Sequence, residues 1–237
     1  MTDLPEDMLF AVNEYGFYCV PAEYKNREVP KILFAGGVYE PSTIKLLRRL
    51  TKRLGGDIVS GGAFVGDFFP AISECLTAKQ RLVSFEPNPT SFAACSYTAK
   101  LNGVTNLDLH PVAVGKEDAT LPLQIQRSGG SAMGARAKIA DAHVEGETIE
   151  VDVKTLDELL KDSKKVSVLQ LDIEDHEEAA LLGATKTIKR DTPVVILEAG
   201  RPWQQRNYLQ LLNSICGEDI YDFFGAVDRN AVYQPKV

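Results

Sequence analysis

DIVSGGAFVGDFFPAISECLTAKQRLVSFEP, residues Asp57–Pro87, decides the reading of the whole chain. A short apolar run (Ile58, Val59), a glycine-rich turn, a helix-length segment, a second apolar run (Leu82–Phe85) and an acid follow one another. A strand that turns sharply into a helix, with a ligand lying against the turn, needs residues without a Cβ. Gly61 and Gly62 are therefore expected at positive φ, and Gly66 where the helix packs closely on the strand. Free N–H groups at the helix start favour a carboxylate or phosphate. Glu86 follows the second run, about 20 residues beyond the last of these glycines, where a carboxylate can accept hydrogen bonds from both hydroxyls of a ribose. Strand, glycines, helix, strand and acid, in that order, point to an adenosine-containing ligand at this turn.

Upstream, VYEPSTIKLLRRLTKRLGG carries Ile44, Leu47, Leu50 or Thr51, and Leu54 at helical spacing, with Pro41 near the start and Gly55-Gly56 past the end. Before it, GFYCV and KILFA are two β-like runs separated by AEYKNREVP, which suggests a hairpin or small cap. The expected organisation is an N-terminal hairpin and helix cap over residues 1–54 and a Rossmann-like domain over residues 55–237.

Downstream, Asn88-Pro89 reads as an N-cap followed by proline at the first helical position. Phe92, Cys95 and Ala99 form its apolar stripe, Asn102-Gly103 ends it, and a third strand is expected from Leu107 to Val114. This alternation implies right-handed parallel crossovers, hence a doubly wound α/β sheet with its ligand crevice at the C-terminal edge of the strands. LPLQIQ and TIEVDV then form a β-rich insertion after the third strand. RSGGSAMGARAKIADAHVEGE joins them, either as a mobile active-site loop or as a disordered insertion. Ser131, Arg136 and His143 lie in it and read as ordinary solvated residues. Thr155 to Glu158 fits a capping box. VSVLQLD gives a fourth strand ending on Asp172, and a helix opening in EDHEE is expected to bury Ala179, Ala180 and Leu182. VVILE gives a fifth strand ending on Glu198. Tyr208, Leu211, Leu212 and Ile215 mark an amphipathic helix, and a closing hairpin turns at Asp228-Arg229-Asn230.

Bulk properties exclude several classes of function. The 237 residues, 44% hydrophobic, suffice for one large core. A net charge of −7 without a long Lys/Arg cluster argues against nucleic acid as a partner. MTDLPEDMLFAV carries acids where a signal peptide needs bases, and no apolar run reaches membrane-spanning length, so a cytoplasmic protein without membrane contact is expected. Cys19, Cys75, Cys95 and Cys216 lack C-x-x-C spacing and read as buried thiols rather than a zinc site or redox pair.

Taken together, GDIVSGGAFVGDF, VSFEPNP, NGVTNLDLHPVAVG, VKTLDELL, VLQLDIEDHEEAALLGA and VVILE resemble the FkbM-type methyltransferases, a branch of the class I S-adenosylmethionine-dependent enzymes. The resemblance implies a mostly parallel seven-stranded sheet whose final strand is antiparallel, with S-adenosyl-L-methionine across the ends of the first strands. It further implies that Gly62, Ala63 and Gly66 line the methionine and ribose part, with Ser60 at the same turn. Glu86 would hold the ribose hydroxyls, Pro87 and Asn88 would border the adenine, and Val112 and Ala113 would lie near its face. Glu40 would approach the amino end. Two positions depart from the family pattern: Ser60 stands where an Asp is usual, and Asp175 where a Gly is usual.

Methyl transfer from a sulfonium requires donor and acceptor in near-attack geometry with water excluded. An acceptor hydroxyl also needs a base or a metal to take its proton. Asp172, at the end of the central strand, is the first candidate, both as a catalytic group and as a ligand for the donor's amino group. Glu174, His176 and Glu198 could complete a base or an oxygen-rich site for a divalent cation. The plainer alternatives are that Glu174 and Glu177 serve the helix macrodipole, that His176 is a surface residue and that Glu198 satisfies a loop. The leading expectation is O-methylation of a small-molecule hydroxyl on a sugar or natural-product intermediate. An NAD(P)-dependent oxidoreductase is the runner-up, disfavoured because GGAFVG lacks G-x-G-x-x-G spacing. A cofactor-binding or interaction protein without turnover is the third reading, motivated by Ser60 and Asp175. A homo-oligomer is left open.

Overall fold

The computed structural model describes residues 7–127, 129–139 and 145–236. His143, noted above, lies outside the described residues.

The chain opens with a hairpin of β1 (Met8–Asn13) and β2 (Gly16–Pro21), antiparallel with Phe10 opposite Cys19. Here the structure corrects the sequence reading. GFYCV pairs with MLFAVN rather than with KILFA, and KILFA belongs to α1 (Glu28–Phe34). Val29, Pro30 and Leu33 share the buried face of that helix, a 3.6-residue period that the short β-like run concealed. The hairpin docks on α4 (described below) through Cys19, whose N–H donates to Thr98 Oγ1 at 3.0 Å, and through Phe17, bound twice by the Asn102 amide.

Next come α2 (Pro41–Leu54), β3 (Asp57–Gly61), α3 (Phe69–Ser73), β4 (Leu82–Phe85), α4 (Pro89–Leu101) and β5 (Leu107–His110). Asn88 caps α4 by accepting from the Thr90 N–H at 3.0 Å. The third strand expected from Leu107 to Val114 is broken: β5 stays in the main sheet, whereas β6 (Ala113–Val114) leaves it. A second sheet of order β6-β9-β7-β8 contains β7 (Ala119–Gln124), β8 (Lys138–Ile139) and β9 (Thr148–Lys154). Val114, Leu123 and Val153 are buried within these strands.

Thr155 accepts from the Glu158 N–H and caps α5 (Leu156–Leu159). The reciprocal half of the capping box is absent, because the Thr155 N–H donates to Asp118 and Glu158 pairs with Lys161. After β10 (Val166–Leu171) come α6 (Glu177–Leu182), α7 (Thr185–Asp191), β11 (Val194–Glu198), α8 (Pro202–Cys216), β12 (Tyr221–Val227) and β13 (Asn230–Pro235). Helix α6 buries Glu177, Ala180 and Leu181, leaving Ala179 half-buried and Leu182 exposed, because it begins later than the acidic run suggests.

The main sheet has seven strands, ordered β12-β13-β11-β10-β3-β4-β5. It is mixed: β11, β10, β3, β4 and β5 pair in parallel, and β13 runs antiparallel to both neighbours. Adjacent residues of the central strands enter opposite cores. Ile58, Leu82, Val168 and Ile196 pack with Leu47, Phe69 and Cys95, while Val59, Val83, Leu169 and Leu197 pack with Leu160, Leu181, Ile188 and Leu212. Helices thus cover both faces, and each such side chain taken fully from water contributes roughly 1.5–3 kcal/mol. The C-terminal ends of the parallel strands β3, β4, β10 and β11 lie at one edge, where Glu86, Asp172 and Glu198 follow or close them.

Candidate active site

Strand β3 ends on Gly61, whose Cβ would stand 2.3 Å from the Phe85 ring, so this residue is glycine for packing and not for a positive φ. Gly62 does take φ 81°, and a Cβ there would lie 2.0 Å from the Asp172 carbonyl oxygen. The loops after β3 and β10 therefore touch backbone to backbone, which only glycine permits. The helix that follows is shorter than expected: a tight turn through Phe64 (φ 45°) and Gly66 precedes α3, which spans only Phe69–Ser73.

Glu86 is buried at the end of β4. Its Oε2 accepts from the Phe64 N–H at 2.8 Å and its Oε1 from the Asn88 N–H at 2.9 Å. Burial pushes its pKa up to about 7, with the two backbone donors opposing the shift. Tyr24 braces this turn from the N-terminal segment. Its ring lies 5.6 Å from that of Phe64, and its hydroxyl accepts from the Asn88 amide at 3.3 Å.

A second acidic pole forms where β10 and β11 end. Burial, followed by the charges of Glu198, Glu40, Glu174 and Glu177, raises the Asp172 pKa well above the usual carboxylate range. Among the described residues nothing donates a hydrogen bond to the Asp172 carboxylate. Glu174 and Asp175 precede α6 in left-handed backbone, at φ 52° and 71°, so they do not belong to that helix's first turn. Asp175, where the resemblance led to an expectation of glycine, thus sits at a backbone angle that favours glycine, and an exposed Asp tolerates it at modest cost. Burial and Glu198 push Glu174 up to about 7. Glu177 secures the turn by accepting from the Ile173 N–H at 3.0 Å and from the Tyr208 hydroxyl at 3.2 Å. His176 flanks α6 as its N-cap residue, and burial lowers its pKa, favouring the neutral imidazole.

One cavity of about 340 Å³ joins the two poles. Of the residues singled out in the sequence, Ser60, Gly62, Ala63, Glu86, Pro87, Ala113, Asp172, Glu174, His176 and Glu198 line it. Gly66, Asn88, Val112 and Glu40 lie outside its lining. Glu40 instead flanks the start of α2 at φ 44° and accepts from Asn230 Nδ2 at 2.7 Å, close enough to raise the Asp172 pKa. Ser60 Oγ donates to Gln170 Oε1 at 2.6 Å, so the residue standing in for an acid is satisfied by the neighbouring strand. Among the described residues no group of three or more His, Cys, Asp and Glu is arranged to hold a metal ion. The oxygen-rich cation site considered for Asp172, Glu174, His176 and Glu198 is thus not assembled.

The cavity also recruits residues that sequence reasoning missed: Tyr39, Phe64, Asp67, Gln170 and Arg229, with Arg136 counted there only as a solvated residue. Asp67 is held up to about 7 by burial. Two of these carried a signal, Asp67 as an acid directly after the glycine turn and Gln170 as a polar residue inside an apolar strand.

The model of the methyltransferase FkbM domain matches residues 60–233, well over half of the chain. The chain belongs to that family. Methyltransferase 1 of Beauveria bassiana is 29% identical over 143 residues, which are 53% of this chain and 57% of that protein. An FkbM methyltransferase structure from Methylobacillus flagellatus KT superposes with a TM-score of 0.53 at 17% identity, covering 76% of this chain and 43% of that one. An O-methyltransferase from Bacillus cereus in complex with SAH gives 0.50 at 12% identity, covering 84% and 82%. Trm5b from Pyrococcus abyssi gives 0.51 at 13%, covering 98% and 56%. At these identities the structural likeness is one of fold. This FkbM-domain chain spans about half the length of the Beauveria and Methylobacillus relatives. Among its described residues no helix is long and apolar enough to cross a membrane.

Proposed function

We propose that the protein is an S-adenosylmethionine-dependent methyltransferase acting on a hydroxyl of a small molecule, a sugar or natural-product intermediate. The observation that carries this reading is the cavity joining a backbone-braced carboxyl, Glu86, to a crowded acidic pole around Asp172. Family membership supplies the class of donor, and the residues suit it. The volume lies within the range of small-molecule sites. Glu86 retains acceptor capacity for ribose hydroxyls after its two backbone bonds. Asp172, without a donor of its own, suits an ammonium or sulfonium.

When bound, S-adenosylmethionine would supply an electrophilic methyl group on sulfur. The protein's part is to bind, orient and move a proton. Gly62 and Ala63 form the floor at the methionine and ribose part, with Ser60 beside them and Gly66 and Glu40 supporting from behind. Pro87 and Ala113 border the base, backed by Asn88 and Val112. Glu174, poised near neutral pH, and His176, held neutral, are the proton acceptors for the substrate hydroxyl, next to Asp172. The net charge of −7 favours a small acceptor over RNA. Residues 1–54 act as a cap on the catalytic region 55–237, contributing Tyr39 and the start of α1 to the cavity.

Calorimetric titration with S-adenosylmethionine, S-adenosylhomocysteine and NADH tests the reading, with Glu86→Ala as the control. Saturable binding of the two sulfur ligands, weakened by the substitution, is expected. Binding of NADH alone would overturn it.

A further inference from the structure

We propose that the mouth of this cavity, lined by Arg27, Lys138 and the Arg136–Arg229 pair that shares the Glu28 carboxylate, binds a phosphate or carboxylate group on the acceptor molecule. This rests on the methyltransferase reading above and narrows its substrate to an anion that also bears a hydroxyl.

Three remote segments meet here: the start of α1, the 3-10 turn Gly134–Arg136 of the insertion and the turn between β12 and β13. In and beside these segments four cations, Arg27, Arg136, Lys138 and Arg229, stand against two acids, Glu28 and Asp228, and Asp228 is already engaged by the Thr43 N–H and hydroxyl. Arg136 Nη2 lies 3.9 Å from Glu28 Oε2, and Arg229 Nη2 lies 3.7 Å from Glu28 Oε1. Both separations exceed a hydrogen bond, so a single acid is shared by two guanidiniums. Arg27 Nη2 donates to a neutral partner, Ser131 Oγ, at 3.1 Å. Lys138 has no acidic partner among the described residues. A surplus of positive charge at a concave mouth, on a chain whose net charge is −7, raises the local concentration of anions. Arginine's planar fork also matches phosphate and carboxylate in a bidentate manner.

Two observations tie the cluster to the acidic pole, although Gly134 of its 3-10 turn also approaches the Phe64 ring beside Glu86. Ala199, next to Glu198, donates its N–H to the Arg229 carbonyl at 3.1 Å, which fixes that turn beside the acidic pole. Arg136 is near enough to Glu174 for its charge to oppose the upward shift of that carboxyl. An acceptor gripped at the mouth would therefore direct its hydroxyl inward, towards Glu174 and Asp172. The side chains of Arg136 and Arg229 are 54% and 59% exposed, so they remain free to turn onto a ligand and their replacement leaves the core untouched.

The test uses the full chain loaded with S-adenosylhomocysteine and titrated with inorganic phosphate, then with glucose 6-phosphate against glucose. Saturable binding of both phosphate probes and none of glucose is expected. Arg136→Gln combined with Arg229→Gln should weaken the phosphate probes about tenfold, while S-adenosylhomocysteine binds within about twofold of wild type. Glu28→Gln should tighten phosphate, since it removes the competing acid; a purely structural Glu28 would give the opposite result. Equal binding of glucose and its phosphate, unchanged phosphate binding in the double variant, or an equal loss of S-adenosylhomocysteine affinity would each overturn the proposal. The last result would assign the arginines to the cofactor's own carboxylate. If S-adenosylhomocysteine fails to bind wild type, the methyltransferase reading falls, and the phosphate titration of the free protein still reports on the arginines.

Discussion

Glu86 and Asp172 are both carboxyls at strand ends, both largely enclosed and both raised in pKa, yet their surroundings differ in kind. Glu86 has two backbone N–H donors aimed at its oxygens and no acidic neighbour among the causes of its shift. Asp172 has four acids raising its pKa and no donor among the described residues. The first is organised before any ligand arrives. The second is a site of stored repulsion that a cation would relieve. Organised hydrogen bonding fits recognition of neutral hydroxyls, whereas frustrated charge fits a positively charged reactant.

The largest expected effect comes from neutralising the frustrated pole. Asp172→Asn should slow methyl transfer by about 10²-fold or more, as losses of preorganised electrostatic groups do. The melting temperature should hold or rise, because repulsion is removed along with function. A parallel loss of rate and stability would show that Asp172 is merely structural. Next, Glu86→Gln places an amide against the Phe64 or Asn88 N–H, at a cost of about 1–3 kcal/mol. Cofactor affinity should fall about 10- to 100-fold, measured by calorimetry, with little change in kcat once the site is saturated. Gly62→Ala tests the contact that couples the poles, and a chemical denaturation curve should show a loss of about 2 kcal/mol or more.

The smallest expected effect is one of pH. Asp67 and Glu86 have folded-state values of about 7 against ordinary values of 3.8 and 4.5. The native state therefore holds more protons than the unfolded chain in that interval. The resulting stabilisation is complete below the ordinary values and disappears as pH rises through about 7. The ligand-free protein should thus lose melting temperature steadily between about pH 4 and pH 7, read by calorimetry across that interval. Asp67→Asn should flatten that slope. A melting temperature that rises across the interval would contradict it.

Much of the scaffold was legible because local chemistry and tertiary packing agree. Leu82–Phe85 forms the expected strand, Asn88 caps α4, Thr155 caps α5, and Asp228-Arg229 turns the closing hairpin. The misreadings occur where a short apolar run serves two patterns. KILFA suits a strand by composition, but Val29, Pro30 and Leu33 bury as one helical face. Leu107 to Val114 reads as continuous, yet the chain changes sheets within it. Helix α7 escaped notice because Thr187 and Ile188 are its only buried side chains. Within the site, carboxyls at strand ends were visible from position alone. The Gln170 partner of Ser60 and the Arg136–Glu28–Arg229 group were not, since each depends on segments brought together only by folding.

The place of β13 bears on how the molecule is made. Since β13 lies between β11 and β12, an interior strand of the sheet is the last of the described strands to emerge during synthesis. Until the β12–β13 hairpin inserts, β11 presents an open edge of Val195, Ile196 and Leu197, and Glu40 lacks its Asn230 donor. The hairpin must enter as a unit, and the same event seals a sticky edge and finishes the acidic pole. A nascent chain halted before Asn230 would therefore keep an aggregation-prone edge and leave Glu40 without its amide partner.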